Sequence, residues 1–145
     1  MKVHQLSLFV ENRPGQLTIP CKALADAGIN ILTLSLADTQ QFGILRLIVR
    51  EWEKAKATLE KAGCVVNITE MVAVEVPDRP GGLAQVLTVM EKSKVNIEYM
   101  YAFTARRGDK AVLLFRFDNP DNAIACLRKS GLNLVDSVEL YNSAQ

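Results

Sequence analysis

The 145 residues contain one histidine, His4, and three cysteines, Cys21, Cys64 and Cys126, with no CxxC pair among them. A single imidazole builds no His-based metal cluster, and no HExxH helix is present. No Gly-x-Ser-x-Gly elbow occurs that His4 would serve as a base, and His4 heads an alternating, strand-like stretch. Three widely spaced thiols, odd in number, read as reduced and packed. An excess of one charge sign is also missing: 17 Lys and Arg stand against 16 Asp and Glu, a net charge of +1. That balance gives no electrostatic reason to expect nucleic acid or an anionic membrane as partner. No apolar run approaches the roughly 20 residues of a membrane span. The opening segment, MKVHQLSLFVEN, alternates and lacks the cleavage site of a secretory leader, so the expected compartment is the cytoplasm. What remains, 49% hydrophobic and 23% charged residues, fits one ordinary globular domain or two very small ones.

The chain repeats itself. Residues 6–17 read LSLFVENRPGQL and residues 72–83 read VAVEVPDRPGGL, an offset of 66. The same offset places Ala27-Gly28-Ile29-Asn30-Ile31 opposite Ser93-Lys94-Val95-Asn96-Ile97. After two extra residues near Arg106-Arg107-Gly108-Asp109 the offset becomes 68, and GILRLIV (43–49) faces AVLLFRF (111–117). Insertions are best tolerated in such polar turns. Two modules follow, residues 1–69 and 70–145, with no Pro/Gly/Ser linker at the seam. Modules this small bury only about 60% of their unfolded surface and are marginal alone, which favours a fused pair.

Hydrophobic periodicity switches between two and 3.6 in the same order twice. In the first module Leu6, Leu8 and Val10 alternate as a strand. Leu17, Cys21 and Leu24 mark a helix, residues 31–37 and 45–49 two strands, and Trp52, Ala55, Leu59 and Ala62 a second helix closed by Gly63. Cys64-Val65-Val66 opens a last strand. The second module repeats this with Val72, Val74 and Val76; Leu83, Val86, Leu87 and Met90; Ile97 to Phe103; Leu113, Phe115 and Phe117; then a helix entered at Asn119-Pro120 and capped at Gly131. The order is βαββαβ twice. The expected fold class is α+β: two tandem ferredoxin-like modules, each an antiparallel sheet with its helices on one face. Pro20 falls early in the first helix, which therefore starts late, near Thr18, or is kinked. Phe9, Ile44 and Ile48 would point away from the helices. Apolar residues on that face suggest packing of module on module or chain on chain, against the plainer reading of scattered surface hydrophobes.

The best-matched segment is the turn from first strand to first helix, Asn12-Arg13-Pro14-Gly15-Gln16-Leu17 and again Asp78-Arg79-Pro80-Gly81-Gly82-Leu83. Proline fixes φ and keeps its predecessor extended; glycine permits close backbone approach. The helix start beyond it offers N–H groups and the positive end of the macrodipole, where a carboxylate binds without a cationic side chain. Asn12 and Asp78 add an acceptor for an ammonium group. Acceptor beside donors suits a zwitterion such as a free amino acid. The same residues also make ordinary turns and caps that bind nothing. Arg13 and Arg79 either reach a carboxylate or sit solvated or paired with a surface acid. A steric test suggests itself, Gly15→Val or Gly81→Val, expected to block the site and spare the fold.

These paired turns, each followed by an apolar helix and a Gly-Ile-Asn-Ile or Val-Asn-Ile strand start, resemble the ACT-domain family in tandem form, across essentially the whole chain. The resemblance implies regulatory binding of small ligands, most often amino acids, without catalytic residues, metal or cofactor. It places the ligand between the strand-to-helix loop of one module and the second strand of its neighbour. Carried over by position, the loop residues are Asn12, Pro14, Gly15, Gln16 and Leu17, and Asp78, Pro80, Gly81, Gly82 and Leu83, with Asn30 and Asn96 as facing candidates. Lys94 departs from the glycine at position 28, Pro20 is unusual, and Asn12 and Asp78 differ in charge, so the two sites need not be equivalent. A homodimer and a regulated enzyme or transporter are the implied partners; no catalytic or DNA-binding domain lies in these residues. Three other readings share the fold. An acylphosphatase-type enzyme would have to use Arg13 or Arg79 ahead of a proline in place of a run of amide donors. An RNA-binding sheet would use Tyr99, Tyr101, Phe115 and Phe117 but lacks the RNP signature, and the phenylalanines share the alternation of Leu113. A pairing module would bind nothing.

Overall fold

The computed structural model describes residues 2–38 and 40–143, so the outermost residues of the expected spans, Met1 and Gln145, lie outside the described residues. The chain forms two compact units, one of residues His4–Thr69 and one of Met1–Val3 with Glu70–Gln145. The elements of the first are β1 (Lys2–Glu11, from His4 onward), α1 (Thr18–Asp26), β2 (Ile31–Asp38), β3 (Phe42–Val49), α2 (Trp52–Lys61) and the opening of β4 (Val66–Pro77). β3 lies between β1 and β2 and is antiparallel to both, with Leu8 opposite Leu45 and Leu45 opposite Leu36. The alternation dictates the core. Leu6, Leu8, Leu45, Leu47 and Val49 face Leu24 of α1 and Ala55 and Leu59 of α2. The His4 ring stacks on that of Trp52, with centroids 4.4 Å apart.

The second unit holds the rest of β4, α3 (Gly82–Lys92), β5 (Ile97–Ala102), β6 (Lys110–Phe117), α4 (Pro120–Lys129), β7 (Asn133–Val135) and α5 (Ser137–Ser143). Its strand order is β7-β4-β6-β5, antiparallel throughout. Val72, Val74, Val76, Phe115 and Phe117 pack against Val86 and Met90 of α3 and Leu127 of α4. The two phenylalanine rings stack, 5.3 Å apart, and are fully buried on the helix side, out of reach of any nucleotide base. Each unit thus has the expected βαββαβ order. Phe103 is buried but lies just beyond β5.

Two local readings need correction, and between them the late start expected for α1 is the alternative the structure adopts. The helical stripes hold at Leu24, Val86 and Met90, which are buried, but Leu17, Leu83 and Leu87 face outward and Cys21 is only half-buried, while Pro20 and Gly82 face the core. Gly82 sets the rotation in α3, because it lies against the end of β4 and residues four and eight further on follow it inward. Pro20 neither kinks nor breaks α1. The helix starts at Thr18, so the proline sits in the first turn, where its missing N–H has no intrahelical acceptor to lose. Finally, α5 follows β7, where the sequence reading stops at a strand. Its signal was present as Asp136-Ser-Val-Glu139, a reciprocal box in which Glu139 N–H donates to Asp136 Oδ1 (2.9 Å) and Asp136 N–H to Glu139 Oε2 (3.4 Å).

The first helix of each unit ends alike. Gly28 and Lys94 both take positive φ, +72° and +57°, and the next residue's N–H, from Ile29 or Val95, donates back to Leu24 or Met90. Lys94 is the one non-glycine residue with positive φ among those described. The left-handed conformation strains its Cβ by roughly 1–2 kcal/mol, partly offset by glycine's greater freedom when unfolded. Lys94→Gly should therefore stabilise the protein by about 1 kcal/mol, as an increased midpoint in urea at unchanged slope.

Candidate functional site

The turn after the first strand is built twice from the same backbone bonds. Asn12 N–H donates to Gln41 C=O (2.9 Å), and Asp78 N–H to Asp109 C=O (3.3 Å). Arg13 N–H donates to Glu11 C=O and Arg79 N–H to Pro77 C=O, both at 2.9 Å. Gln16 N–H donates to Arg13 C=O (3.3 Å) and Gly82 N–H to Arg79 C=O (3.0 Å). Between them Gly15 and Gly81 take φ of +86° and +89°. Pro14 and Pro80 hold the preceding bend. The helices that follow start without any side-chain cap bond, at Leu17 for α1 and Gly81 for α3. No side chain therefore competes for the first-turn amides of Thr18 and Ile19, or of Leu83 and Ala84, and the positive end of the helix lies behind them.

The halves diverge beyond this frame. α3 begins immediately after its turn, at Gly82, whereas Gln16, the counterpart of Gly82, precedes α1 by two residues. A Cβ on Gly82 would lie 2.1 Å from Pro77 O, so the second glycine is required by the protein's own backbone. The close approach inferred for Gly81-Gly82 is real at Gly82, but its partner is β4. The side chains diverge too. Asp78 is ion-paired with Arg106 of the two-residue-longer turn between β5 and β6. Asn12 carries no charge. Arg13 pairs with Glu11 at 2.8 Å, the bland alternative for this residue, and Arg79 makes no ion pair among the described residues.

In the first unit the turn borders a concavity of about 360 Å³, reached by Asn12, Arg13, Pro14, Gly15 and Leu17 together with Val10, Glu11, Leu36 and Gly43. Gln16 lines a neighbouring groove with Ile19, Phe42 and Cys64. Burial pushes the Cys64 thiol up, which keeps it protonated and unreactive near neutral pH. Leu36 and Gly43 were missed from sequence, although strand register alone brings them there: Val10 pairs with Gly43, and Leu36 lies one pairing step away opposite Leu45. The same register separates Asn30 from its own turn. Asn30 precedes β2, and the turn adjoins the opposite end of that eight-residue strand, about 25 Å away at 3.3 Å per residue. Asn96 stands likewise at the far end of β5, its N–H donating to Asp118 Oδ1 and its C=O accepting from Asp118 N–H, both at 3.1 Å.

Two ferredoxin-like halves bearing one repeated, side-chain-uncapped turn define a class of regulatory module. The chain belongs to the ACT family: the model described as "ACT domain pair" matches residues 1–144. Among solved structures it is similar to protein BT0572 from Bacteroides thetaiotaomicron, with 38% identity, 97% of this chain and 96% of that chain covered, and a TM-score of 0.90. It shares its fold with the regulatory subunit of aspartate kinase from Thermus thermophilus (19% identity, 90% and 92% covered, TM-score 0.65) and from Thermus flavus (18%, 88% and 90%, 0.62). No curated protein matches.

The positive φ of Gly15 and Gly81 alters the steric test. Valine at either position is strained by its own backbone, so loss of binding there would not by itself report a blocked site. The contrast between the turns is sharper one residue on. Gly82→Ala should cost about 3 kcal/mol by forcing β4 and α3 apart, while Gln16→Ala should stay within about 0.5 kcal/mol, both read from urea denaturation.

Proposed function

We propose that this ACT domain pair is a non-catalytic sensor that binds a free amino acid and passes its occupancy to an enzyme or transporter. Each half, residues 1–69 and 70–145, contributes one turn. Main-chain amides of Gly15 and Leu17, or of Gly81 and Leu83, hold the carboxylate, beside Gln16 or Gly82, whose own N–H groups close the turn. Asn12 or Asp78 accepts from the ammonium group, Pro14 and Pro80 fix the bend, and Arg13 and Arg79 border the mouth. Asn30 and Asn96, remote from their own turns, serve the turn of a neighbouring module, which calls for a homodimer. Exposed Phe9, 66% accessible, and Val65, 76% accessible, are surfaces a second copy would cover. No part of this reading needs a metal, a cofactor, nucleic acid or a membrane, and it places the protein in the cytoplasm.

The observation that carries the reading is the twofold turn. The same three backbone bonds and the same positive-φ glycine precede two helix starts that no side chain caps, one of them beside an open concavity. The Asp78–Arg106 pair makes the second turn the weaker candidate for an ammonium group, because its carboxylate already has a cation.

Thermal unfolding with each of the twenty amino acids is the direct test. A ligand at 100 times its dissociation constant adds about 2.7 kcal/mol, a rise of several degrees in Tm. Asn12→Ala should abolish most of that rise and leave the unliganded Tm within a degree or two. A flat response to all twenty would reduce the protein to a pairing module.

A further inference from the structure

We propose that the first-half crevice takes an amino acid whose side chain is apolar and uncharged, of the leucine or phenylalanine kind; this rests on the amino-acid reading above and specifies its ligand class. The walls supply the argument. Leu17, at the start of α1, and Leu36, on β2, both line the concavity and are 36% and 51% exposed. Val10 and Pro14 complete an apolar surface that a polar ligand side chain would desolvate against without return. The charged residues at the rim do not offset this. Glu11 and Arg13 meet each other at 2.8 Å, so neither presents an unneutralised charge to a ligand's side chain. The amide oxygen of Asn12 is the acceptor assigned to the ligand's ammonium group.

Gly43 makes room for this wall. A Cβ there would lie 3.0 Å from Leu36 Cδ1, so glycine lets Leu36 seat against β3 and hold its place at the crevice. The second half lacks the arrangement. By the repeat, Leu36 corresponds to Ala102, Gly43 to Ala111, Glu11 to Pro77 and Asn12 to Asp78. Its turn carries the Asp78–Arg106 ion pair and no leucine at the position of Leu36. The apolar preference is therefore a property of the first half alone.

Titration calorimetry of the full chain with L-leucine, L-isoleucine, L-phenylalanine, L-serine, L-lysine and L-aspartate tests this. One of the three apolar amino acids should bind at least tenfold more tightly than any of the other three. Leu36→Ala should weaken that binding about tenfold, whereas Ala102→Gly, its counterpart in the other half, should leave it unchanged. Leu36 is half-exposed, so an unchanged melting curve for the variant separates lost binding from lost fold. Tightest binding by serine, lysine or aspartate, or full affinity in Leu36→Ala, would overturn the apolar assignment while the amino-acid reading stands. Silence from all six and from the remaining amino acids would overturn both.

Discussion

The site depends on one backbone constraint. A chain leaving a strand must reverse into a helix within a few residues, and here it does so through a residue with φ of +86° or +89°, values that side-chain-bearing residues resist. Gly15 and Gly81 meet that demand, with proline before each to fix the approach. Three main-chain hydrogen bonds then close the turn without any side chain. Because the turn consumes backbone groups alone, the helix start beyond it is left without a side-chain cap.

On this shared frame small differences decide what each half can do. Gly82 lets α3 begin against the carbonyl of Pro77, while Gln16 delays α1 and leaves Leu17 and Ile19 outside the core. The longer turn between β5 and β6 brings two adjacent arginines to different tasks. Arg106 pairs with Asp78 of the candidate turn. Arg107 lies 3.5 Å from Glu75 of β4 and 3.6 Å from Glu139 of α5, with Lys110 adding a 3.3 Å contact to Glu75. Glu75 has a side chain only 9% exposed, so these charges meet where solvent screens them least. One short loop thus ties the candidate turn, the sheet and the C-terminal helix of the second unit together.

Much of the fold was legible because the physics that produces it is local. Alternation along 6–10 and 72–76, glycine at 63 and 131, and Asn119-Pro120 each fix an element through nearest neighbours. The ACT resemblance added what periodicity does not, namely what such a fold is for. Helix rotation was misread where it depends on packing between elements: Leu83 and Leu87 belong to the right period but the wrong face, because the contact of Gly82 with β4 turns α3. The helix α5 was overlooked despite its capping box, since seven residues are too few for periodicity to stand out.

By itself the sequence determined that the chain is a duplicated α+β protein with one proline-glycine turn used twice, for turn chemistry and hydrophobic period are properties of adjacent residues. Only the tertiary structure decided what surrounds those turns. Leu36 and Gly43 reach the first through strand pairing, Arg106 reaches the second across 28 positions of chain, and Asn30 is carried to the opposite end of its strand. Such neighbours are set by register and packing, which act between segments that the linear order keeps apart.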